Sequence, residues 1–198
     1  MLYLDIAIIA GELAGLVFSV GKHGWWAQFV YYTQCSNYIL LVVSVVHLIC
    51  LLRRKPVPAP VELWRYIAAC LTTVTFLVTV FVLVPWYGHP EFFLFQTNGL
   101  FQHLLCPLLA VAGLPFLGPR RKKDCLLALV PTVIYGILFY ALNWLSVYDG
   151  PYPFMRVHHQ PWYMSILWFV VLAGAAYGIA AALRKLCGRK RNPAAEGG

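Results

Sequence analysis

Six runs of about twenty mostly apolar residues restrict this chain to very few folds. They cover roughly residues 2–21, 29–52, 66–87, 98–118, 125–147 and 161–183. A hydrocarbon layer about 30 Å thick takes about 20 helical residues to cross. Within it every backbone polar group has to be bonded inside the structure, which leaves helices and closed barrels as the only spanning forms. Runs of this length read as helices. The expected fold is therefore an all-α membrane protein with six transmembrane helices. Connections take up most of the remaining chain. Residues 1–187 are expected to form one transmembrane domain, and 188–198 a disordered basic tail. Charged residues make up 11% of the chain, against about a quarter in ordinary soluble domains, so a soluble enzyme is excluded. The first run begins beside Met1, lacks a basic leader and carries Asp5 and Glu12. It reads as a retained span and not as a cleaved signal peptide.

The net charge of +8 is a topology signal. Thirteen of the fifteen Lys and Arg residues fall in three places. These are Arg53, Arg54, Lys55 and Arg65; Arg120, Arg121, Lys122 and Lys123; and Arg184, Lys185, Arg189, Lys190 and Arg191. Only Lys22 and Arg156 lie in the alternate connections. Basic residues mark the cytoplasmic side, so both termini are expected there. The partners of this charge are anionic lipid headgroups, and no nucleic acid is implied. The connection RRKPVPAPVELW reads as a stiff, Pro-rich loop. The connections on the other side hold Trp25, Trp26, Trp86, Tyr87, Tyr148, Tyr152, Trp162 and Tyr163, an interfacial aromatic belt. Any chemistry is expected to open toward that outer leaflet. The six cysteines form no C-x-x-C pair and read as small apolar fillers. His89, Asp149, His158 and His159 fit no helical metal motif, so neither a metal nor a cofactor is expected.

The informative residues are polar ones inside the runs. Thr33 lies roughly 6 Å below the outer end of the second run, and His103 roughly 7 Å below that of the fourth. Asn143 lies roughly 6 Å below the outer end of the fifth. Ser36 and Asn37 share the helical face of Thr33, and Tyr140 stands near Asn143. A polar layer at one depth suggests a pocket in the outer half of the bundle. Two readings compete. Thr, Ser and Asn can serve as interhelical hydrogen-bond glue, which is the reading for Ser44, Thr72, Thr73, Thr75 and Thr132. A hydroxyl and an imidazole can instead be a nucleophile and its base, which is the alternative for Thr33 and His103. Glu12, near the middle of the first run, is a structural partner, a proton-relay acid or an orienter of the histidine. His47, near the cytoplasmic end of the second run, reads as interfacial.

Three motifs carry a resemblance. FVYYTQCSNYILLVV resembles the aromatic–Thr–x–x–Ser–Asn stretch of small bacterial integral membrane proteins related to the androgen-induced protein family. FQHLLCPLLAV resembles their His–x–x–x–Pro segment, here His103 and Pro107. GPYPFMRV resembles their Tyr–Pro–Phe motif, here Tyr152, Pro153 and Phe154. The likeness runs in one order over most of the chain. The animal members are intramembrane threonine hydrolases of fatty acid esters of hydroxy fatty acids. The resemblance implies Thr33 as nucleophile, His103 as base, and a multi-pass protein of the bacterial plasma membrane acting on a lipid or fatty acid ester. Residues near both positions differ from the animal pattern, and Ser36 is an alternative hydroxyl. The expected route is attack by Thr33 on an ester carbonyl, an acyl-threonine, and release by water. Helical N–H groups being used within their helices, Asn37 and Asn143 are the expected oxyanion donors. Ser36 and Tyr140 join them as substrate-binding candidates. Glu12, Asp149 and His158 are candidate supporting residues. The alternatives are a lipid-binding or transport protein, and an acyltransferase using the same pocket.

Overall fold

The six apolar runs do form six helices, each long and apolar enough to cross a membrane. The structure is a computed structural model and describes residues 1–190, with all side chains except those of His23 and Ala27. The helices are Leu2–Lys22, Tyr32–Leu52, Ala59–Tyr87, Thr97–Phe116, Lys122–Trp144 and Trp162–Arg184, referred to below as the first to sixth. No strand occurs among the described residues. The third helix begins earlier than its apolar run, because Pro58 and Pro60 start it. A fixed proline φ suits a first helical turn, where the missing N–H has no partner to lose. Half of the loop expected from RRKPVPAPVELW is therefore helix.

The third helix is the axis of the bundle. It packs against the second, fourth, fifth and sixth, and is 56% buried where the sixth is 11% buried. Small residues explain how so many neighbours fit: Ala68, Ala69, Cys70 and Thr72 are almost fully enclosed. Apolar attraction is the same for lipid as for a helix, so close approach of backbones is what holds such helices together. Tyr66 adds a polar tie by donating to the Ala180 carbonyl at 2.7 Å. The first helix meets the fourth in the same way, through Gly11 and Gly15. A Cβ on Gly11 would lie 2.8 Å from Cys106 Sγ, and one on Gly15 2.6 Å from Gln102 Cγ.

Two prolines shape the helices that border the site. Pro lacks an N–H and crowds the carbonyl four residues before it. The backbone answers with wide π-type turns at Thr79–Leu83, before Pro85, and at Leu100–Leu105, before Pro107. Such turns re-aim side chains and are frequent at functional sites. His103 lies inside the second of them.

The three basic segments meet at one end of the bundle. Arg120 pairs with Glu62 at 2.9 Å, while the Gly188 and Lys190 N–H groups donate to Leu117 and Pro115 carbonyls. Of the expected basic tail, residues 191–198 lie outside the described residues. Arg65 is not a loop charge and His47 is not interfacial, because both are buried. Asp5 draws them in: its carboxylate lies 2.6 Å from His47 Nδ1 and 2.9 Å from Arg65 Nη2. Arg65 Nη1 also donates to Ser44 Oγ at 2.8 Å. One buried carboxylate thereby ties the first three helices together near their basic ends.

Removing one member of a buried ion cluster leaves its partner charged and unpaired. Asp5→Ala is therefore expected to destabilise the bundle by about 3–5 kcal/mol. Denaturant unfolding in detergent measures this, and an unchanged midpoint would show that the cluster contributes no net stability.

Candidate functional site

The second helix starts at Tyr32, so Thr33 lies in its first turn and not a full turn below its end. This changes its chemistry. The first N–H groups of a helix have no intrahelical partner. Here two tyrosines satisfy them: Tyr32 N–H donates to the Tyr135 hydroxyl at 3.1 Å, and Thr33 N–H to the Tyr152 hydroxyl at 3.4 Å. The Tyr152 phenol also lies close to the Thr33 side chain. Burial pushes the Tyr152 hydroxyl up to about 12, with the Thr33 bonds opposing that rise. It keeps its proton at physiological pH and can act as a donor.

His103 is held from the other side. Its Nδ1 lies 2.8 Å from the Phe93 carbonyl, which can only accept. Nδ1 therefore carries the hydrogen, and in the neutral ring Nε2 is left as the acceptor. Phe93 belongs to the turn Glu91–Phe95, which folds back against the fourth helix. Gly99 permits that approach: a Cβ there would sit 2.5 Å from the Phe93 carbonyl oxygen. Thr97, with φ of 45°, redirects the chain between the two segments.

Thr33 and His103 line one cavity of about 250 Å³. Ser19, Lys22, Gln34, Asn98 and Tyr152 complete its polar wall, and Tyr31, Phe92 and Pro151 lie beside them. Lys22 Nζ rests 3.9 Å from the centre of the Phe92 ring. No hydrogen bond joins Thr33 to His103 among the described residues. Catalytic hydrogen bonds are often unformed before substrate binds. A hydroxyl and a ring nitrogen acceptor on one wall are a donor–acceptor set suited to nucleophilic chemistry.

What fixes the two residues on a common wall is a pair of glutamines. Gln34 Nε2 donates to Gln102 Oε1 at 2.7 Å, and Gln102 Nε2 returns a bond to Gln34 Oε1 at 3.1 Å. Each glutamine adjoins one of the two residues in sequence. Asn37 strengthens the joint by donating to the carbonyls of Thr33 and Gln102. Ser36 bonds the Thr33 carbonyl and Thr75. Ser36 and Asn37 thus stand behind Thr33 at helix joints and do not line its cavity. Glu12 lies apart as well, buried against the Cys106 thiol at the seam of the first and fourth helices.

The remaining candidates hold the loop that delivers Tyr152. Asn143 Oδ1 accepts from Val157 N–H at 2.6 Å, and its Nδ2 donates to the Tyr148 carbonyl and to Asp149. His158 Nε2 lies 2.9 Å from the Asn143 carbonyl, and Tyr140 donates to the Phe154 carbonyl at 3.0 Å. Asn143, Asp149, His158 and Tyr140 frame the loop and are absent from the polar cavity. The residues that sequence reasoning passed over are Tyr152 as a contact of Thr33, Lys22, and the glutamine pair. The signal for the last was present: Gln34 and Gln102 each stand beside a residue already singled out for depth.

A second, narrower space adjoins Thr33. It holds about 70 Å³ between the third, fifth and sixth helices and is almost wholly apolar. Thr33, Tyr152 and Leu83 border both spaces.

Losing one glutamine strands the other's buried amide, at about 1–3 kcal/mol. Gln34→Leu is expected to lower stability by that amount, whereas Gln34→Leu with Gln102→Leu returns close to the parent. A double variant less stable than either single one, by thermal unfolding, would rule out the pair as a simple clamp. Gly99→Ala is expected to displace Phe93 and destabilise by about 1–3 kcal/mol. Its other sign is faster modification of His103 by diethylpyrocarbonate; modification at the parent rate would count against this orienting contact. No family model, no curated protein and no solved structure matches this chain.

Proposed function

We propose that the protein is an intramembrane lipid-ester hydrolase in which Thr33 is the nucleophile and His103 its base. The observation that carries the reading is that Thr33 and His103 line one cavity while the Phe93 carbonyl holds the imidazole with Nε2 available. The resemblance of the three motifs to the androgen-induced protein family supports it. So does the apolar slot beside the nucleophile, which suits a fatty acyl ester such as a fatty acid ester of a hydroxy fatty acid.

In this reading His103 Nε2 takes the Thr33 Oγ1 proton as the oxygen bonds the ester carbonyl carbon. The tetrahedral oxyanion is met by the Tyr152 hydroxyl and the Thr33 N–H, both at the nucleophile. These take the oxyanion role expected of Asn37 and Asn143, whose amides are engaged elsewhere. The C–O bond to the alcohol breaks, and His103 returns its proton to that leaving oxygen. Water then adds to the acyl-threonine, giving its proton to His103. Collapse releases the fatty acid and restores the Thr33 hydroxyl. In this reading the basic end faces the cytoplasm, as the positive-inside rule favours, and the cavity opens to the outer leaflet of a bacterial plasma membrane.

An acyltransferase would share the first half of this route, and an alcohol in the polar cavity would replace water. A lipid-binding or transport role draws on one observation, that no hydrogen bond joins Thr33 to His103 among the described residues.

The test is covalent labelling of the purified protein with a fluorophosphonate, followed by peptide mapping. An adduct on Thr33 is expected, absent in Thr33→Ala and lowered at least about 100-fold in rate in His103→Ala. Both variants should unfold like the parent. Labelling at Ser36, or turnover of a lipid ester by Thr33→Ala, would remove Thr33 from the mechanism. Transfer to added alcohol in place of hydrolysis would select the acyltransferase.

A further inference from the structure

We propose that the apolar slot beside Thr33 is the acyl-chain site, and that Gly136 and Ala173 set the length of chain it accepts. The proposal rests on the hydrolase reading and adds which side of the ester goes where. Thr33 and Tyr152 form the partition between two unlike spaces. An ester carbonyl held there has two substituents, one for each side. The polar vestibule carries Lys22, Gln34 and Asn98 and suits the alcohol part. The slot suits the hydrocarbon.

Its walls give the reason. Val74, Val78 and Leu83 of the third helix line it for roughly 13 Å along the axis. Two of the threonine hydroxyls that reach it are already paired. Thr75 bonds Ser36 at 3.0 Å, and Thr132 bonds the Tyr32 hydroxyl at 2.7 Å. A ligand in the slot therefore gains by burying apolar surface and meets few free polar groups, which fits an alkyl chain and disfavours a sugar or a headgroup. Gly136 and Ala173 are the smallest residues of the lining, one on the fifth helix and one on the sixth. Gly136 is already closely faced: a Cβ there would lie 3.0 Å from Phe169 Cε2. With only about 70 Å³ of free space, a larger side chain at either position closes part of the slot. Both residues stand off the polar cavity, so the reacting groups are untouched.

The experiment compares the parent with Gly136→Leu and Ala173→Leu on p-nitrophenyl butyrate, octanoate and palmitate in detergent. Fluorophosphonate labelling of Thr33 is followed in parallel. The palmitate-to-butyrate ratio of kcat/KM is expected to fall about tenfold or more in the variants, with Thr33 labelling at the parent rate. An unchanged ratio in folded variants overturns the proposal. To cover variants that fail to fold, the parent is irradiated with palmitate carrying a terminal diazirine. An adduct on the peptide holding residues 132–140 or 169–173 supports the slot, and adducts confined to other segments overturn it. Absence of both turnover and a Thr33 adduct in the parent would remove the hydrolase reading, and the photo-adduct would then decide the slot alone.

Discussion

The reciprocal amide pair of Gln34 and Gln102 fixes how the second and fourth helices face each other, and the arrangement around Thr33 follows from it. Apolar packing alone leaves helices free to rotate and slide, since lipid is as good a neighbour as leucine. Two amides that satisfy each other in a dry interior permit one register, because any other strands a donor and an acceptor. Thr33 and His103 are adjacent in sequence to the two glutamines, so they inherit this register. Asn37 extends it by binding a carbonyl on each helix. At the opposite end the Asp5, His47 and Arg65 cluster does the same for the first three helices with charges in place of amides. The bundle is thus pinned at two levels, and between them small residues bring the backbones close.

Backbone irregularity is placed where it serves the cavity. Pro85 and Pro107 each force a wide turn on the N-terminal side, and both turns lie at the level of Thr33. The turn before Pro107 sets the direction of His103. The turn before Pro85 brings Thr79 and Leu83 to the slot. Gly99 then lets the Glu91–Phe95 segment reach the fourth helix, so that a main-chain carbonyl orients the imidazole. A carbonyl fixes the tautomer of the ring without adding charge.

Much of this was legible in the sequence, and the limits are instructive. Hydropathy located six helices because each is a long run with one periodic demand. Depth along the helix singled out Thr33 and His103 because rise per residue is nearly constant. Depth is one coordinate of three, however. Asn143 stands at a similar depth yet uses its whole amide on the loop from Tyr148 to Val157. Arg65 looked like a loop charge because its partner Asp5 lies sixty residues earlier, a separation that no local pattern exposes. The start of the second helix was misplaced by three residues, since aromatic residues such as Tyr31 suit a span and an interface equally. That small error hid the most consequential fact about Thr33: its N–H is unbonded within the helix.

The Thr33 N–H and the Tyr152 phenol bear on how the proposed hydrolase would start. At rest the N–H donates to the phenol, and His103 faces the same space without a bond to Thr33. An ester carbonyl at this point would take the N–H from Tyr152 and accept from the phenol in turn. Threonine in a helix divides between two χ1 states, so its hydroxyl has a second orientation available at little cost. An orientation toward the cavity would offer it His103 Nε2 as acceptor. Substrate would then assemble the oxyanion donors and the nucleophile–base pair together, by displacing Tyr152 from the Thr33 N–H.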